Sequence, residues 1–499
     1  MWEPFSVHAE GFRSDGDSFE EFSRRFPVIQ GGHSMHGGFW KALTGAFVLG
    51  AGITLAGSAA GQQLIGVGDP ASIVADQHQA VATSMAEDDL AQRVADLEAA
   101  LKGIQDKEAA AKKSAAGKFS VSAGGRIYTD AVFFGQGASS IAAFGDAQDT
   151  VYFRTARIFL KGDGFDQFGY KIQMDFAGRD SNAEQLTKFK DVYISIKELP
   201  LADQLKIGHF KEPFSLEELT SSRFITFMER GLPAVFSPSR NIGIAAYRHS
   251  ENERMTFALG GFRTMQDDPP YASDDDGGYA FTMRATWLPW YDAATNGRGL
   301  LHVGLGYSYR DVDNPTQRIR QRPEVGIGPR VVDTGSIANV DDIQLLNPEI
   351  AFVYGPFSVQ AEYIAAFYDT AAGTGDFHGA YVYASYFLTG ENRVYKRTEG
   401  HFDRVKPFEN FFRVCTCDGQ PATGRGAWEV AYRYSWLDLD DADIAVFGGT
   451  ASDHTIGVNW YMNPYTRLMF NYVHSQVGTA GNGTDADMNI FEMRAQIDF

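Results

Sequence analysis

The sequence predicts an all-β fold, a transmembrane antiparallel β-barrel of about 16 strands, preceded by a signal peptide and a short periplasmic coiled-coil helix. Three observations carry that expectation. From residue 118 to the end, apolar and polar residues alternate with the two-residue period of a strand. The last segment is the clearest: Phe491, Met493, Ala495, Ile497 and Phe499 alternate with Glu492, Arg494, Gln496 and Asp498, giving one apolar and one polar face. A soluble sandwich alternates too, but here the pattern recurs segment after segment with full charges on the second face, as in a barrel with lipid outside and water inside. Finally, Phe (38), Tyr (22) and Gly (53) are abundant together, while beyond residue 60 no apolar stretch reaches the ~20 residues of a membrane helix.

Composition narrows the function. The 499 residues carry 44 Lys+Arg against 63 Asp+Glu, a net charge of −19 with no long basic run, which argues against nucleic acid as a partner. A content of 44% hydrophobic and 13% aromatic residues rules out disorder over the whole chain. The two cysteines, Cys415 and Cys417, exclude a disulfide framework and a multi-cysteine zinc module; they either clip a small loop or form a free redox pair. No nucleophile elbow, His-Glu-x-x-His or Walker spacing occurs, so no catalytic residue, metal or cofactor is expected.

Residues 1–60 read as leader and signal peptide. Lys41 precedes the apolar Ala42 to Leu55, and Gly57-Ser58-Ala59-Ala60 offers a cleavage site. The acidic segment before Met35 makes Met35 the expected start. Residues 61–117 read as a periplasmic linker: Leu90, Val94, Leu97, Leu101 and Ile104 step by 4, 3, 4 and 3, a coiled-coil seam within 86–113. So short a coil is marginal alone, and serves either as an oligomer's stalk, with peptidoglycan a possible contact, or as a solvated spacer.

Residues 118–499 form the barrel. Strands are expected near 118–128, 150–162, 168–178, 189–199, 204–211, 241–249, 254–264, 278–289, 300–310, 347–354, 357–368, 378–389, 427–438, 453–463, 466–475 and 488–499, an even number as bacterial barrels have. Most even-numbered strands end in tight links, such as Asn463-Pro464. Most odd-numbered ones end in longer polar links, notably 212–240 and 311–346. Residues 390–426 break the rule, being long on the short-turn side; either a strand pair lies there or the link is an elaboration.

Certain motifs resemble the phosphate-selective porin O and P family of outer-membrane channels. They are Ile207-Gly208-His209-Phe210-Lys211-Glu212-Pro213-Phe214-Ser215-Leu216-Glu217, Thr226-Phe227-Met228-Glu229-Arg230, and Gly426-Ala427-Trp428-Glu429 leading into Arg433-Tyr434-Ser435. Arg154-Thr155-Ala156-Arg157 looks like the family's arginine-rich second strand, with Thr155 where the family often repeats arginine, and Asp191-Val192-Tyr193 sits at its Asp-Ala-Tyr motif. The resemblance implies a trimeric pore in a Gram-negative outer membrane, embedded in lipid and lipopolysaccharide, whose third loop folds inward to a constriction lined with Arg and Lys.

An anion crossing such a constriction must exchange water for donors; Arg offers planar forks matching phosphate oxygens, and Lys a point charge. Loop 212–240 supplies Arg223, Arg230 and Arg240 with Lys211 just before it. Its Glu212, Glu217, Glu218 and Glu229 either brace the loop against those cations or face the pore. The strands add Lys171, Lys206, Arg284 and Arg433, and the resemblance adds Arg154 and Arg157. Residues 118–499 hold 35 basic and 48 acidic side chains, yet loop carboxylates are screened beyond about 8 Å, so an acidic barrel can hold a positive gate. The expected function is passive diffusion of small anions, phosphate among them; the alternatives are a weakly selective general porin and an envelope-tethering barrel.

Overall fold

A computed structural model describes residues 119–499 except 180–184, 265–277, 313–314, 413, 416–420 and 479–484, together with Gln92, Ala99 and Lys102. The leader, the signal segment and the coiled-coil seam lie outside the described residues, as does Cys417. The barrel strands are β1 Ser122–Gln136, β2 Thr150–Gly164, β3 Phe168–Arg179, β4 Gln185–Lys197, β5 Gln204–Lys211, β6 Arg240–His249, β7 Met255–Arg263 and β8 Tyr279–Tyr291. They continue as β9 Gly299–Asp311, β10 Val340–Tyr354, β11 Phe357–Thr370, β12 Gly373–Phe387, β13 Ala427–Asp441, β14 Val446–Asn463, β15 Thr466–Gly478 and β16 Asp485–Asp498.

Each strand pairs antiparallel with its sequence neighbour, and β1 pairs with β16, Arg126 opposite Asp498 through Gln136 opposite Met488, which closes the barrel. Closure satisfies every backbone edge, the condition for crossing lipid. The alternation expected from sequence sets the faces: Phe281, Met283 and Trp287 of β8 are exposed outward, whereas Thr282, Arg284 and Thr286 are buried inward. All sixteen expected strands are present. The largest shift is in the first, which runs to Gln136 instead of ending near residue 128.

Three segments fold into the barrel and fill one side of it. The long link 212–239 places Phe214, Leu232 and Phe236 in a buried cluster with Ile343, Leu345, Ile364, Phe377 and Leu437 from the wall β10–β13. Gly306 on β9 permits this approach, since a Cβ there would lie 2.2 Å from the Phe214 carbonyl oxygen. Link 312–339 carries a two-residue hairpin, Arg320–Gln321 with Val332–Asp333, and adds Ile319, Val331, Val332 and Ile337 to the same cluster. The long link after β12 holds two short ladders, neither of them part of the barrel. Its hairpin Val394–Lys396 with His401–Asp403 buries Tyr395 and Phe402 against Leu216, Leu288 and Leu300. Both alternatives for 390–426 are met in part: strand pairs lie there, outside the barrel sheet, and the 394–403 hairpin is an elaboration packed inside the barrel.

Candidate functional site

Loop 212–239 is pinned by the wall behind it. Ser215 caps the short helix Leu216–Leu219, its Oγ accepting from the Glu218 N–H at 3.1 Å. The exposed N–H groups of that first turn donate to buried carboxylates: Leu216 to Glu349 at 2.8 Å and to Glu362 at 3.1 Å, and Glu217 to Glu362 at 2.7 Å. A helix start is where unpaired N–H groups favour negative charge. Further along, side chains of the last strands hold the loop's carbonyls: Asn459 donates to Thr226 at 2.8 Å, Arg467 to Ile225 at 2.9 Å and Gln496 to Arg223 at 3.1 Å.

Arg433 is part of this bracing. Its side chain is fully buried, bonded to Glu217 at 3.2 Å and to Glu324, which reaches in from link 312–339. Arg433 does not border the open lumen, so its expected role as a pore-lining residue is corrected: the inward loop covers it. Burial pushes the Glu217 carboxyl up to about 7, with Arg433 opposing and Glu362 adding to the shift.

The space left open lies against β1–β8, a cavity of about 710 Å³ bordered by the free side of loop 212–239 and by the 394–403 hairpin. Nine of the ten expected site residues line it: Arg154, Arg157, Lys171, Lys206, Lys211, Arg223, Arg230, Arg240 and Arg284. In total 15 Lys and Arg face six Asp and Glu there. A barrel whose residues 118–499 hold 35 basic against 48 acidic side chains therefore surrounds a locally cationic lumen.

Shared carboxylates produce that excess. Asp191 holds both Lys171 and Arg240, the latter at 2.7 Å. Glu218 holds Lys211 at 3.1 Å and Arg230 at 3.0 Å, and Glu229 holds Arg154 at 2.7 Å and Arg494 at 2.9 Å. Asp191 and Glu218 are each outnumbered two to one and so position their cations without neutralising them, whereas Arg494 is shared between Glu229 and Asp130. Burial alone would raise the Glu229 carboxyl, but Arg154 and Arg494 outweigh it and hold it down to about 2. The adjacent Glu229 and Arg230 thus go to different partners and do not pair with each other. Arg284 is the most restrained of the nine, bound to Glu349 at 2.6 Å and donating to the Gly400 carbonyl at 2.7 Å.

Arg154 reaches the lumen through a β-bulge. Tyr128 pairs with Thr155 and Thr129 with Phe153, leaving Arg154 unopposed on β2. The extra residue turns Arg154 and Thr155 to the same side, which is why this strand shows apolar residues on both faces in sequence.

Sequence reasoning missed several cations. Arg126, on β1, is 6% exposed and lines the cavity; its Nε has no partner and its Nη1 lies 3.4 Å from Ser221 Oγ. Lys396 also borders the space, as does Arg494, which the alternation of the last strand places on its polar face. In link 312–339, Arg320, Arg322 and Arg330 have no ion-pair partner among the described residues, whereas Arg318 binds Asp333 at 2.5 Å. Partial burial, with Arg322 and Arg320 beside it, pulls Arg330 down to about 10. Three arginines in an otherwise polar link were the available signal.

The fold and its charge-lined lumen define a porin, a sixteen-stranded membrane channel. Residues 124–499 match the model of the family described as phosphate-selective porin O and P, and the chain belongs to that family of the Gram-negative outer membrane. Porin O of Pseudomonas aeruginosa is 29% identical over 420 residues, 77% of this chain and 89% of that protein. An uncharacterised Caulobacter vibrioides protein is 26% identical over 364 residues, 69% of this chain and 68% of its own. Among solved structures, the anion-selective porin from Comamonas acidovorans aligns with 14% identity and a TM-score of 0.48, covering 77% of this chain and all of the other.

Proposed function

We propose that this porin passes small anions, phosphate among them, by diffusion along the cationic wall β1–β8. The observation that carries the proposal is the ratio of 15 basic to six acidic side chains around the lumen, with Asp191 and Glu218 each shared between two cations. Arg154, Arg157, Lys171, Lys206, Lys211, Arg223, Arg230 and Arg240 are the residues assigned to the ion path, and Arg126 joins them. In a narrow, low-dielectric passage such donors replace the water an anion loses, while the positive field excludes cations. The homotrimer and the lipopolysaccharide surround implied by the family are adopted as part of this reading, with no enzymatic step and no cofactor.

The test is planar-bilayer recording of the purified channel in a KCl gradient with added phosphate. Anion-selective reversal with phosphate block of the chloride current supports the proposal. Cation selectivity without block replaces it with a general porin.

A further inference from the structure

We infer that the lumen is built to favour organic anions with an aromatic body, aryl phosphomonoesters as a class, over inorganic phosphate or alkyl phosphates of equal charge. The inference rests on the anion-channel reading and adds a substrate class to it.

Lys206 of β5 sits between two tyrosines of the neighbouring strands, its Nζ 4.4 Å from the Tyr247 ring centre and 5.4 Å from that of Tyr193. Among the described residues it has neither an ion pair nor a hydrogen bond, unlike Lys171 and Lys211 on the same wall. Neither phenol hydroxyl has a hydrogen-bond partner among the described residues. The lumen at this point thus offers a cation without a direct ion pair, with Glu399 and Asp191 at longer range, and two hydroxyls without partners, all set on aromatic rings.

The backbone gives that arrangement room. Gly208, at φ +133°, lies opposite Tyr193, and a Cβ there would come 2.4 Å from the Val192 carbonyl oxygen and 3.1 Å from the Tyr193 Cβ. Phe210 then packs edge-on against Tyr193 at 6.0 Å and fixes its ring. Phe159 continues the strip, with Lys171 Nζ 5.9 Å from its centre. Cation and ring therefore alternate across β2–β6. Hydrated orthophosphate has nothing to gain from the rings, whereas a phenyl group does, through stacking and water release. A dianionic head would take Lys206 and the tyrosine hydroxyls while its ring lies along the aromatic strip.

The experiment compares block of the chloride current by orthophosphate, methyl phosphate and phenyl phosphate in single channels of the full-length mature protein. Phenyl phosphate is expected to half-block at about tenfold lower concentration than methyl phosphate. The Tyr193→Ser/Tyr247→Ser channel should bring the two esters within about twofold of each other, while the ratio of methyl phosphate to orthophosphate block stays as in the native channel. Tyr193→Phe/Tyr247→Phe should keep the ring preference, and Lys206→Gln should weaken block by both esters alike. If the double serine variant yields no channels, Tyr247→Ser alone gives the same reading with a smaller shift. Equal block by the two esters, with orthophosphate still blocking, overturns this inference and leaves the anion reading standing. Absence of block by any of the three overturns both.

Discussion

At the scale of single residues, the same side chain type does two separable jobs. Arg126 borders the open lumen and Arg433 is sealed behind the inward loop. Arg126→Ala is expected to raise the half-blocking concentration of phosphate about tenfold, the worth of one charge-assisted hydrogen bond, without altering thermal stability. Arg433→Ala instead strands Glu217 and Glu324 in the interior and should cost about 3–5 kcal/mol, read as a lower temperature for loss of the folded band on electrophoresis. Glu229→Gln should move selectivity the other way, because Arg154 and Arg494 lose their shared counter-charge. A higher chloride-to-potassium permeability ratio in reversal-potential measurements is the expected result.

Two loop carboxyls give opposite pH signatures. Glu217 is held at about 7, above its ordinary 4.5, so it costs no stability below about pH 4.5, costs more as pH rises towards 7, and is constant beyond. Glu217→Gln should remove that slope from a plot of unfolding temperature against pH. Glu229 is held at about 2, so its contribution is complete above about pH 4.5 and is lost as the pH falls through 2.

At the scale of elements, the decisive features are the three segments that enter the barrel. The carboxylates Glu349 and Glu362 hold the first turn of loop 212–239 to the wall. Glu362→Ala should free that turn and appear as enlarged open-channel current noise at unchanged ion selectivity, since the cations on the opposite wall stay in place. Shortening 394–403 to a glycine-serine link should increase single-channel conductance about twofold by widening the passage beside that hairpin.

The strands were legible because a two-residue period over ten or more residues has few other solutions. Loop 212–239 was legible through its resemblance. Link 312–339 was not, since Ile319, Val331, Val332 and Ile337 are scattered among polar residues and show no period. The bulge at Arg154 was hidden for a related reason: an inserted residue reverses the alternation locally and looks like noise. Arg433 was misplaced because inward-facing and lumen-facing are the same to a strand pattern; only the loop packed over it separates them.

At the scale of the whole molecule, the acidic total and the cationic lumen coexist because ions screen the exterior. The lumen's field should therefore weaken with salt: the Debye length falls from about 10 Å at 0.1 M to about 3 Å at 1 M. Permeability ratios measured at 0.1 M are expected to exceed those at 1 M, and a ratio independent of salt would place selectivity in steric contacts instead of charge. The filled half of the barrel supplies the rigidity for this. With β9–β16 packed against inserted segments, the cations on β1–β8 face a fixed wall across the passage.

The seam between the first and last strands has a bearing on how the barrel is assembled. Arg494 of β16 bonds Asp130 of β1 at 2.7 Å and also takes the Met228 carbonyl and the Glu229 carboxylate from the inward loop. The first and last strands of the barrel are thus stapled together by the inward loop. Without the docked loop that arginine would lack two of its acceptors, so the seam is expected to be held less firmly until the loop is in place. The side chain that ties the seam also borders the lumen.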